Sequence, residues 1–244
     1  ADPRFTRTSA LADIYAPLRA GSDIAFLGGL IRHLLENDLW FRDYALHYTN
    51  LSTIIGPDYK GPEELAGYFS GWNEDGRRYS PETWQYDGVV VPSSLAEGYV
   101  EIEGFADSTK RLHEAPTPKD PTLQHPRCVY QVMRRHYARY TPEMVERVTG
   151  CPRDVFLKVA DALVRNSGRE RTGAICYAVG WNHHTKGAQV IRAGAILMAL
   201  LGNVGRPGGG LLALRGHTSI QGSTDISTLY DLLPGYLPQP HAFR

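Results

Sequence analysis

Apolar residues recur every three or four positions near the start of the chain. This spacing is typical of a helix with one buried face, so it predicts a helix over Asp23–Glu36 with Asp23 as its N-cap. A second helix is predicted over residues 40–48. The apolar positions of the first helix are Ile24, Leu27, Leu30, Ile31, Leu34 and Leu35.

The helical period fades over residues 57–121, where glycines, prolines, aromatic residues and charges alternate. Irregular stretches of this length are uncommon in compact domains and are often functional or form interfaces. The aromatic side chains there indicate packing against another surface or ordinary core contacts, and the sequence leaves both open. They are Tyr68, Phe69, Trp72, Tyr79, Trp84 and Tyr86.

Regular structure is predicted to return over residues 127–140. The run Thr141-Pro-Glu combines a capping hydroxyl, a proline at the first helical position and an acid in the first turn. It therefore predicts a helix that begins after Thr141 and ends at Gly150. A further helix is predicted over residues 152–166.

A strand, a glycine turn and a helix are predicted in succession in the last third of the chain. Residues 173–179 are an apolar run of strand length, Gly180 begins the turn, and residues 187–201 have helical spacing. This order is typical of a doubly wound α/β fold with a mostly parallel sheet, in which ligands bind at the carboxyl ends of the strands.

The chain opens on Asp2-Pro-Arg, a run typical of the turn that follows a parallel strand. We therefore expect the sheet to be incomplete at its N-terminus. Residues 1–215 are expected to form most of one cofactor-binding α/β domain, with residues 57–121 as an insertion. Residues 216–244 are expected to begin the next α/β domain.

Charge and cysteine usage narrow the classes of function. The 244 residues contain 26 Lys and Arg and 26 Asp and Glu, so no net basic field favours nucleic acid as a partner. The longest apolar run, residues 193–201, is shorter than the roughly 20 residues of a membrane span. Cys128, Cys151 and Cys176 lack a Cys-x-x-Cys spacing, which argues against a disulfide framework, a zinc site or an iron–sulfur cluster.

Several polar residues are candidates for binding a nucleotide. Asp2 can accept both hydroxyls of a ribose and Arg4 can pair with a phosphate, although an exposed turn would also explain them. In Gly180-Trp-Asn-His-His-Thr-Lys-Gly187, the adjacent histidines cannot easily face one ion, which argues against a metal site.

A second glycine-rich run, Gly202-Asn-Val-Gly-Arg-Pro-Gly-Gly-Gly210, precedes Arg215-Gly-His. Consecutive glycines cost backbone entropy and allow something flat or bulky to approach closely. A guanidinium at Arg215 matches a small carboxylate in two parallel hydrogen bonds. Composition alone would favour a surface or structural role for this arginine.

Three blocks of the chain resemble the large catalytic subunit of molybdenum or tungsten formate dehydrogenases, which carry bis(molybdopterin guanine dinucleotide). They are Asp2-Pro-Arg-Phe-Thr-Arg-Thr with Arg19-Ala-Gly-Ser-Asp23, Leu123-Gln-His-Pro-Arg-Cys128 with Tyr140-Thr-Pro-Glu-Met144, and residues 180–225. The resemblance implies that Arg215 is the active-site arginine for formate oxidation to CO2 or for CO2 reduction. It implies that none of the residues in these blocks ligates the metal.

The resemblance also implies a set of cofactor-binding residues, with Asp23 facing the guanine. They are Asp2, Arg4, Thr6, Gly21, Asp23, Gly180, Asn182, His183, Gly187, Gly216, His217 and Gln221. The family usually has Thr-Gln at Asn182-His183, and many relatives have Ser-Asn or Asn-Asn at Thr218-Ser219. These departures put the details of pterin recognition in question.

In the family, a cysteine or selenocysteine followed by histidine ligates the metal upstream of the Asp-Pro-Arg block, together with a 4Fe-4S segment. Neither occurs in this sequence, so we expect an internal fragment that is inactive alone. The implied partners are formate or CO2, the remainder of the catalytic subunit and an iron–sulfur electron-transfer subunit. The resemblance favours a periplasmic over a cytoplasmic location, with no membrane span in this chain.

Two other classes of function stay open at this point. One is a non-catalytic module that binds the cofactor or a partner through the same fold, as the absent metal ligand and the aromatic-rich insertion would allow. The other is an ordinary dinucleotide-dependent dehydrogenase, which is disfavoured because no Gly-x-Gly-x-x-Gly run opens a helix.

Overall fold

The computed structural model describes residues 1–89, 117–217, 219, 222, 232–233 and 237–238. Most of the regular structure in these ranges is helical. The helices are α1 (Asp23–Glu36), α2 (Arg42–Tyr48), α3 (Val129–Tyr137), α4 (Pro142–Thr149), α5 (Arg153–Arg165), α6 (Val179–Asn182) and α7 (Gly187–Leu200), with 3-10 turns at Ser9–Leu11 and Pro81–Trp84. The strands are β1 (Trp72–Asn73), β2 (Arg78–Tyr79), β3 (Ala174–Tyr177), β4 (Gly210–Ala213), β5 (Leu232–Leu233) and β6 (Leu237–Pro238).

Helix α1 lies at the centre of the hydrophobic core and packs against α7, α4, α3 and α5. The predicted apolar stripe is buried except for Ile24, which is partly buried, and the buried face also includes small residues that let neighbouring helices approach. A Cβ added to Gly29 would lie 2.5 Å from a methyl group of Val145. Phe26 contacts Phe156 edge to face, with ring centroids 5.5 Å apart. The core therefore depends on close packing as well as on apolar burial.

The predicted ends of α4 are confirmed. The Thr141 hydroxyl accepts a hydrogen bond from the Met144 amide at 3.2 Å, which satisfies one of the free N–H groups of the first turn. Gly150 follows the last turn in the left-handed conformation with φ of 75°. A side chain at that position would be strained, so the glycine explains why the helix ends there.

Strands β3 and β4 are parallel and are connected through α6 and α7, which makes a β-α-β unit. Ile175 pairs with Leu211, and Tyr177 pairs with Ala213. These residues lie half-buried on the face that contacts α7, while Cys176 and Leu212 are exposed on the opposite face. One face of this pair is therefore covered by α7, and the other is exposed as far as the described residues go.

Asn203 joins the end of α7 to the start of β3 and is fully buried. Its side-chain oxygen accepts the Gly173 amide at 3.1 Å, and its side-chain nitrogen donates to the Ser167 hydroxyl at 2.9 Å. Both polar ends are thus satisfied, as a buried amide requires. The glycine-rich run that follows begins from this fixed point.

The predicted α/β class agrees with the β-α-β unit, whereas the doubly wound sheet is not observed among the described residues. Each sheet there has two strands, β1-β2, β3-β4 and β5-β6. Residues 2 and 17 add one isolated parallel bridge. The division into domains at residue 215 stays a prediction.

Three local predictions were wrong in detail. Ser22 occupies the cap position of α1, and Asp23 is the first helical residue. Helix α2 begins at Arg42 rather than at residue 40, because the backbone of Phe41 is not helical, with φ of -80° and ψ of 89°. Gly180 lies inside the one-turn helix α6 rather than in an open turn.

The aromatic residues of the predicted insertion contact one another. Tyr68 stacks on Trp72 with centroids 4.7 Å apart, and Tyr79 contacts both Trp72 and Trp84. Phe69 is nevertheless 64% exposed. Tyr68, Tyr79 and Trp84 are exposed as well, so the rings contact one another at the surface rather than in a buried core. Residues 90–116 of the predicted insertion lie outside the described residues.

Candidate functional site

A cavity of about 590 Å³ lies where α1, β3 and α6 meet the first residues of the chain. Ligand pockets commonly have volumes of this size. Four of the predicted cofactor-binding residues line it, namely Asp2, Gly21, Asp23 and Gly180. Its floor is apolar and includes Phe26, Leu27 and Ile175. The cavity thus combines two carboxylates with an apolar surface, as a heterocycle with polar edges would require.

Asp23 and Trp181 are hydrogen-bonded across this cavity. The indole Nε1–H of Trp181 donates to Oδ1 of Asp23 at 3.2 Å. Asp23 lies in the first turn of α1, where the exposed amides of the helix favour negative charge. The two residues are 158 positions apart, so the bond connects α1 to the segment after β3.

Asp2 reaches the same cavity from the N-terminal segment, which is held beside residues 16–17. The Asp2 amide donates to the Ala16 carbonyl at 3.1 Å, and the Tyr15 hydroxyl donates to the Asp2 carbonyl at 3.0 Å. The carboxylate of Asp2 accepts the Arg4 amide at 2.8 Å. Thr6 instead accepts the Ser9 amide at 3.3 Å and supports a local turn. The side chains of Arg4 and Thr6 lie outside the cavity lining.

Arg215 lies in a second, smaller cavity of about 240 Å³. Gly216, His217 and Asn182 line it as well, which brings four predicted residues together. Arg215 and His217 are exposed among the described residues. The Leu214 amide donates to the Tyr177 carbonyl at 2.8 Å, so the backbone next to Arg215 is fixed to the end of β3.

The two cavities share a wall. Tyr177 and Ala178 line both of them, so the end of β3 separates the acidic cavity from the Arg215 cavity. Tyr177 also stacks on Trp181, with centroids 5.2 Å apart and an angle of 19°. This segment can therefore hold two groups at a defined separation, one on each side.

The histidines and the last glycine of the 180–187 run have different surroundings. His183 is exposed and lies outside the lining of both cavities. His184 lines the acidic cavity, with its Nε2 2.8 Å from the Gly180 carbonyl oxygen. Gly187 is buried behind the cavity, where an added Cβ would lie 2.7 Å from the Asn182 carbonyl oxygen. Gly187 therefore supports the turn, and Gln221 lies outside the described residues.

Sequence reasoning missed Tyr177, Trp181 and His184 as cavity residues. The signal for Trp181 was present, because a large aromatic side chain stood between a glycine and polar residues in a segment predicted to bind a ligand. The stack on Tyr177 depends on the one-turn helix α6, which the glycine-turn prediction excluded.

Two further findings concern the described ranges. They contain no group of three or more His, Cys, Asp and Glu side chains arranged to hold a metal ion. No helix within them combines the length and the apolar character that a membrane crossing needs. A groove of about 740 Å³ lies elsewhere, beside Phe41, Tyr44 and Arg169, and carries none of the predicted site residues.

Comparison with known proteins gives a consistent set of relatives. The chain is 44% identical to the formate dehydrogenase-O major subunit of Escherichia coli (strain K12) over 239 residues, which is 98% of this chain and 21% of that protein. It is 42% identical over 236 residues to formate dehydrogenase subunit alpha of Megalodesulfovibrio gigas, covering 97% of this chain and 21% of the relative. No protein-family model matches the chain.

In sequence, the chain belongs to the formate dehydrogenase major-subunit family. It is also 41% identical over 241 residues to formate dehydrogenase 2 subunit alpha (cytochrome c-553) of Nitratidesulfovibrio vulgaris, covering 99% of this chain and 21% of that protein. The chain thus spans about a fifth of the length of these formate dehydrogenase subunits.

Proposed function

We propose that this chain is the part of a formate dehydrogenase catalytic subunit that binds bis(molybdopterin guanine dinucleotide) and provides the formate-binding arginine. The complete subunit would convert formate to CO2, one proton and two electrons, or run the reverse reaction. The observation that carries this proposal is the 41–44% identity to formate dehydrogenase subunits over nearly the whole chain. The two cavities around the end of β3 support it.

The residues present fit part of such a cofactor. A nucleotide end needs a cavity with an apolar surface for the base and acceptors for its N–H and hydroxyl groups. Asp23 and Asp2 supply acceptors around the 590 Å³ cavity, and Gly21 and Gly180 leave room for a close approach. These four residues would hold the guanosine part. When bound, the cofactor supplies molybdenum or tungsten as the acceptor for the two electrons.

Arg215 would bind formate on the other side of the Tyr177 segment. Its planar guanidinium can donate two parallel hydrogen bonds to the two formate oxygens, which fixes the orientation of the C–H bond. The hydrogen bond from Leu214 to Tyr177 keeps the adjacent backbone in place. Because exposed ion pairs contribute little to binding, this role requires other parts of the subunit to exclude water from Arg215.

The same proposal extends to the fold and to partners. The β3-α7-β4 unit would be part of a doubly wound, mostly parallel sheet, with residues 1–215 in one domain and residues 216–244 in the next. Electrons would leave through a 4Fe-4S cluster in another segment and an iron–sulfur subunit. The name of the Nitratidesulfovibrio vulgaris relative includes a cytochrome, an electron carrier, which supports transfer to a separate protein. We favour a periplasmic location.

The test is to express the full-length subunit that contains this chain and to measure three quantities on one preparation. These are formate-dependent dye reduction, molybdenum or tungsten by mass spectrometry, and GMP released by acid hydrolysis. We expect activity, about one metal ion and about two GMP per subunit. The 244-residue chain alone is the control and should show neither activity nor metal. A metal-loaded full-length subunit without formate-dependent reduction would contradict the proposal.

A further inference from the structure

The carboxylate of Asp23 lies at the N-terminal end of α1, and one of its oxygens accepts a hydrogen bond. Oδ1 accepts the indole N–H of Trp181 at 3.2 Å, and the side chain lines the 590 Å³ cavity. In the described part of the chain, the salt bridges do not include Asp23. Among the described residues, the partner of the carboxylate is thus a neutral donor rather than a cation.

Trp181 is itself held on two sides. Tyr177 stacks on the indole at 5.2 Å, and the helix α7 backbone lies against it at Gly194. A Cβ added to Gly194 would lie 3.0 Å from the indole ring, which is closer than nine in ten contacts of that kind. Packing thus holds the indole ring whose N–H donates to Oδ1 of Asp23.

We propose that Trp181 is a positioning residue: its indole N–H holds Oδ1 of Asp23 so that Oδ2 faces a planar heterocycle with N–H donors in the cavity. This inference rests on the proposed function, in which that heterocycle is the guanine of the cofactor. An ionised carboxylate only accepts hydrogen bonds, so it favours a base edge with N–H groups over one with acceptors. Fixing the carboxylate beforehand lowers the entropy cost of binding.

The experiment uses the full-length subunit in cofactor-free form and titrates GMP and AMP by calorimetry. Trp181 is replaced by 3-benzothienylalanine, which has nearly the shape of tryptophan but carries sulfur where the indole has N–H. The same replacement at Trp40 is the matched control, because Trp40 is buried and its Nε1 has no hydrogen-bond partner among the described residues. A Trp181→Phe variant, whose ring also has no N–H donor, repeats the test with a natural amino acid.

We expect the replacement at Trp181 to weaken GMP binding about three- to tenfold, the usual effect of losing one ordinary hydrogen bond, because the lost bond orients the carboxylate and does not itself contact GMP. AMP binding should stay unchanged, as should GMP binding after replacement at Trp40. Asp23→Ala should abolish the preference for GMP. In the Asp23→Ala background the Trp181 replacement should have no further effect, whereas a purely structural role would persist there.

The outcomes separate this inference from the proposed function. A subunit that loses its GMP preference with Asp23→Ala but binds GMP normally after replacement of Trp181 contradicts the positioning role and leaves the proposed function standing. Equal losses from the Trp181 replacement in both backgrounds would also overturn the positioning role. A natural-sequence subunit with no preference for GMP over AMP contradicts the guanine site itself, and this inference with it.

Discussion

The helical core and the β3-β4 pair differ in how completely they are covered. Leu197 of α7 is 1% exposed, whereas Leu212 of β4 is 45% exposed, although the two elements are joined by a short run of chain. The core is closed by α1, α3, α4, α5 and α7. Within the described ranges, α7 covers one face of the strand pair, and Cys176 and Leu212 are exposed on the other.

The candidate site lies where the buried helical core meets the exposed face of the strand pair. The acidic cavity has the core behind it, and the Arg215 cavity is built from exposed residues at the strand ends. Exposed apolar side chains such as Leu212 and Leu214 commonly mark surfaces that other polypeptide covers. The contrast agrees with the proposal that the rest of a much longer subunit completes the site.

The largest expected effect tests the contrast directly. Leu197→Ala should lower the free energy of unfolding of the 244-residue chain by about 2 to 5 kcal/mol, because it leaves a cavity in a packed core. The identical change at Leu212 should cost less than about 1 kcal/mol there. Unfolding in urea, monitored by circular dichroism, measures the free energy of unfolding of both variants. Equal losses for the two variants would show that the strand face is covered within this chain.

A smaller effect is expected at the junction between the two regions. Asn203→Ala removes the acceptor for the Gly173 amide and should cost about 1 to 3 kcal/mol of unfolding free energy. Asn166→Ala is the matched control, since Asn166 is exposed and donates to the Ala162 carbonyl within one helix end. That variant should lose less than about 0.5 kcal/mol. The same chemical denaturation measures both variants, and a control that loses as much as Asn203→Ala would argue against a special role for the junction.

The smallest effect concerns pH and the loop before α3. The pKa of Asp120 is lowered to about 2 from an ordinary 3.8, chiefly by the Thr122 hydroxyl and also by the His125, Thr122 and Gln124 amides. Since the folded pKa lies below the unfolded one, this carboxylate stabilises the fold above pH 3.8 and loses that effect as pH falls through about 2. Unfolding of the natural chain and of Asp120→Asn should therefore differ at neutral pH and converge in acid. A constant difference across that range would contradict the pKa shift.

The parts of the fold that the sequence predicted are those with strong local signals. Thr141 and Gly150 predicted both ends of α4 because caps act within a few residues. The apolar stripe of α1 predicted its end at Glu36, although its cap is Ser22 rather than Asp23. The Asp23–Trp181 bond and the shared Tyr177 wall were missed because they join residues far apart in the chain. No local pattern specifies which side chains meet across a cavity.

The sequence predicted which residues contribute to the candidate site better than it predicted how they are arranged. The sequence predicted that Asp2, Asp23, Gly180 and Gly187 lie around one concavity; the first three line the acidic cavity, whereas Gly187 lies outside its lining. It did not predict that Arg215 lies in a separate cavity on the other side of Tyr177. That separation depends on the parallel pairing of β3 with β4, which is a tertiary feature.

The most direct test of the proposed function is the formate kinetics of Arg215 variants of the full-length subunit, with metal and GMP content measured on each preparation. Arg215→Ala should lower kcat/KM for formate by about two orders of magnitude or more at full cofactor content, because two charge-assisted hydrogen bonds are lost. Arg215→Lys should recover only part of that loss, since it keeps the charge without the planar fork. Near-normal kcat/KM for Arg215→Ala with full metal and GMP content would contradict the account, and a loss of GMP would mean that Arg215 holds the cofactor instead.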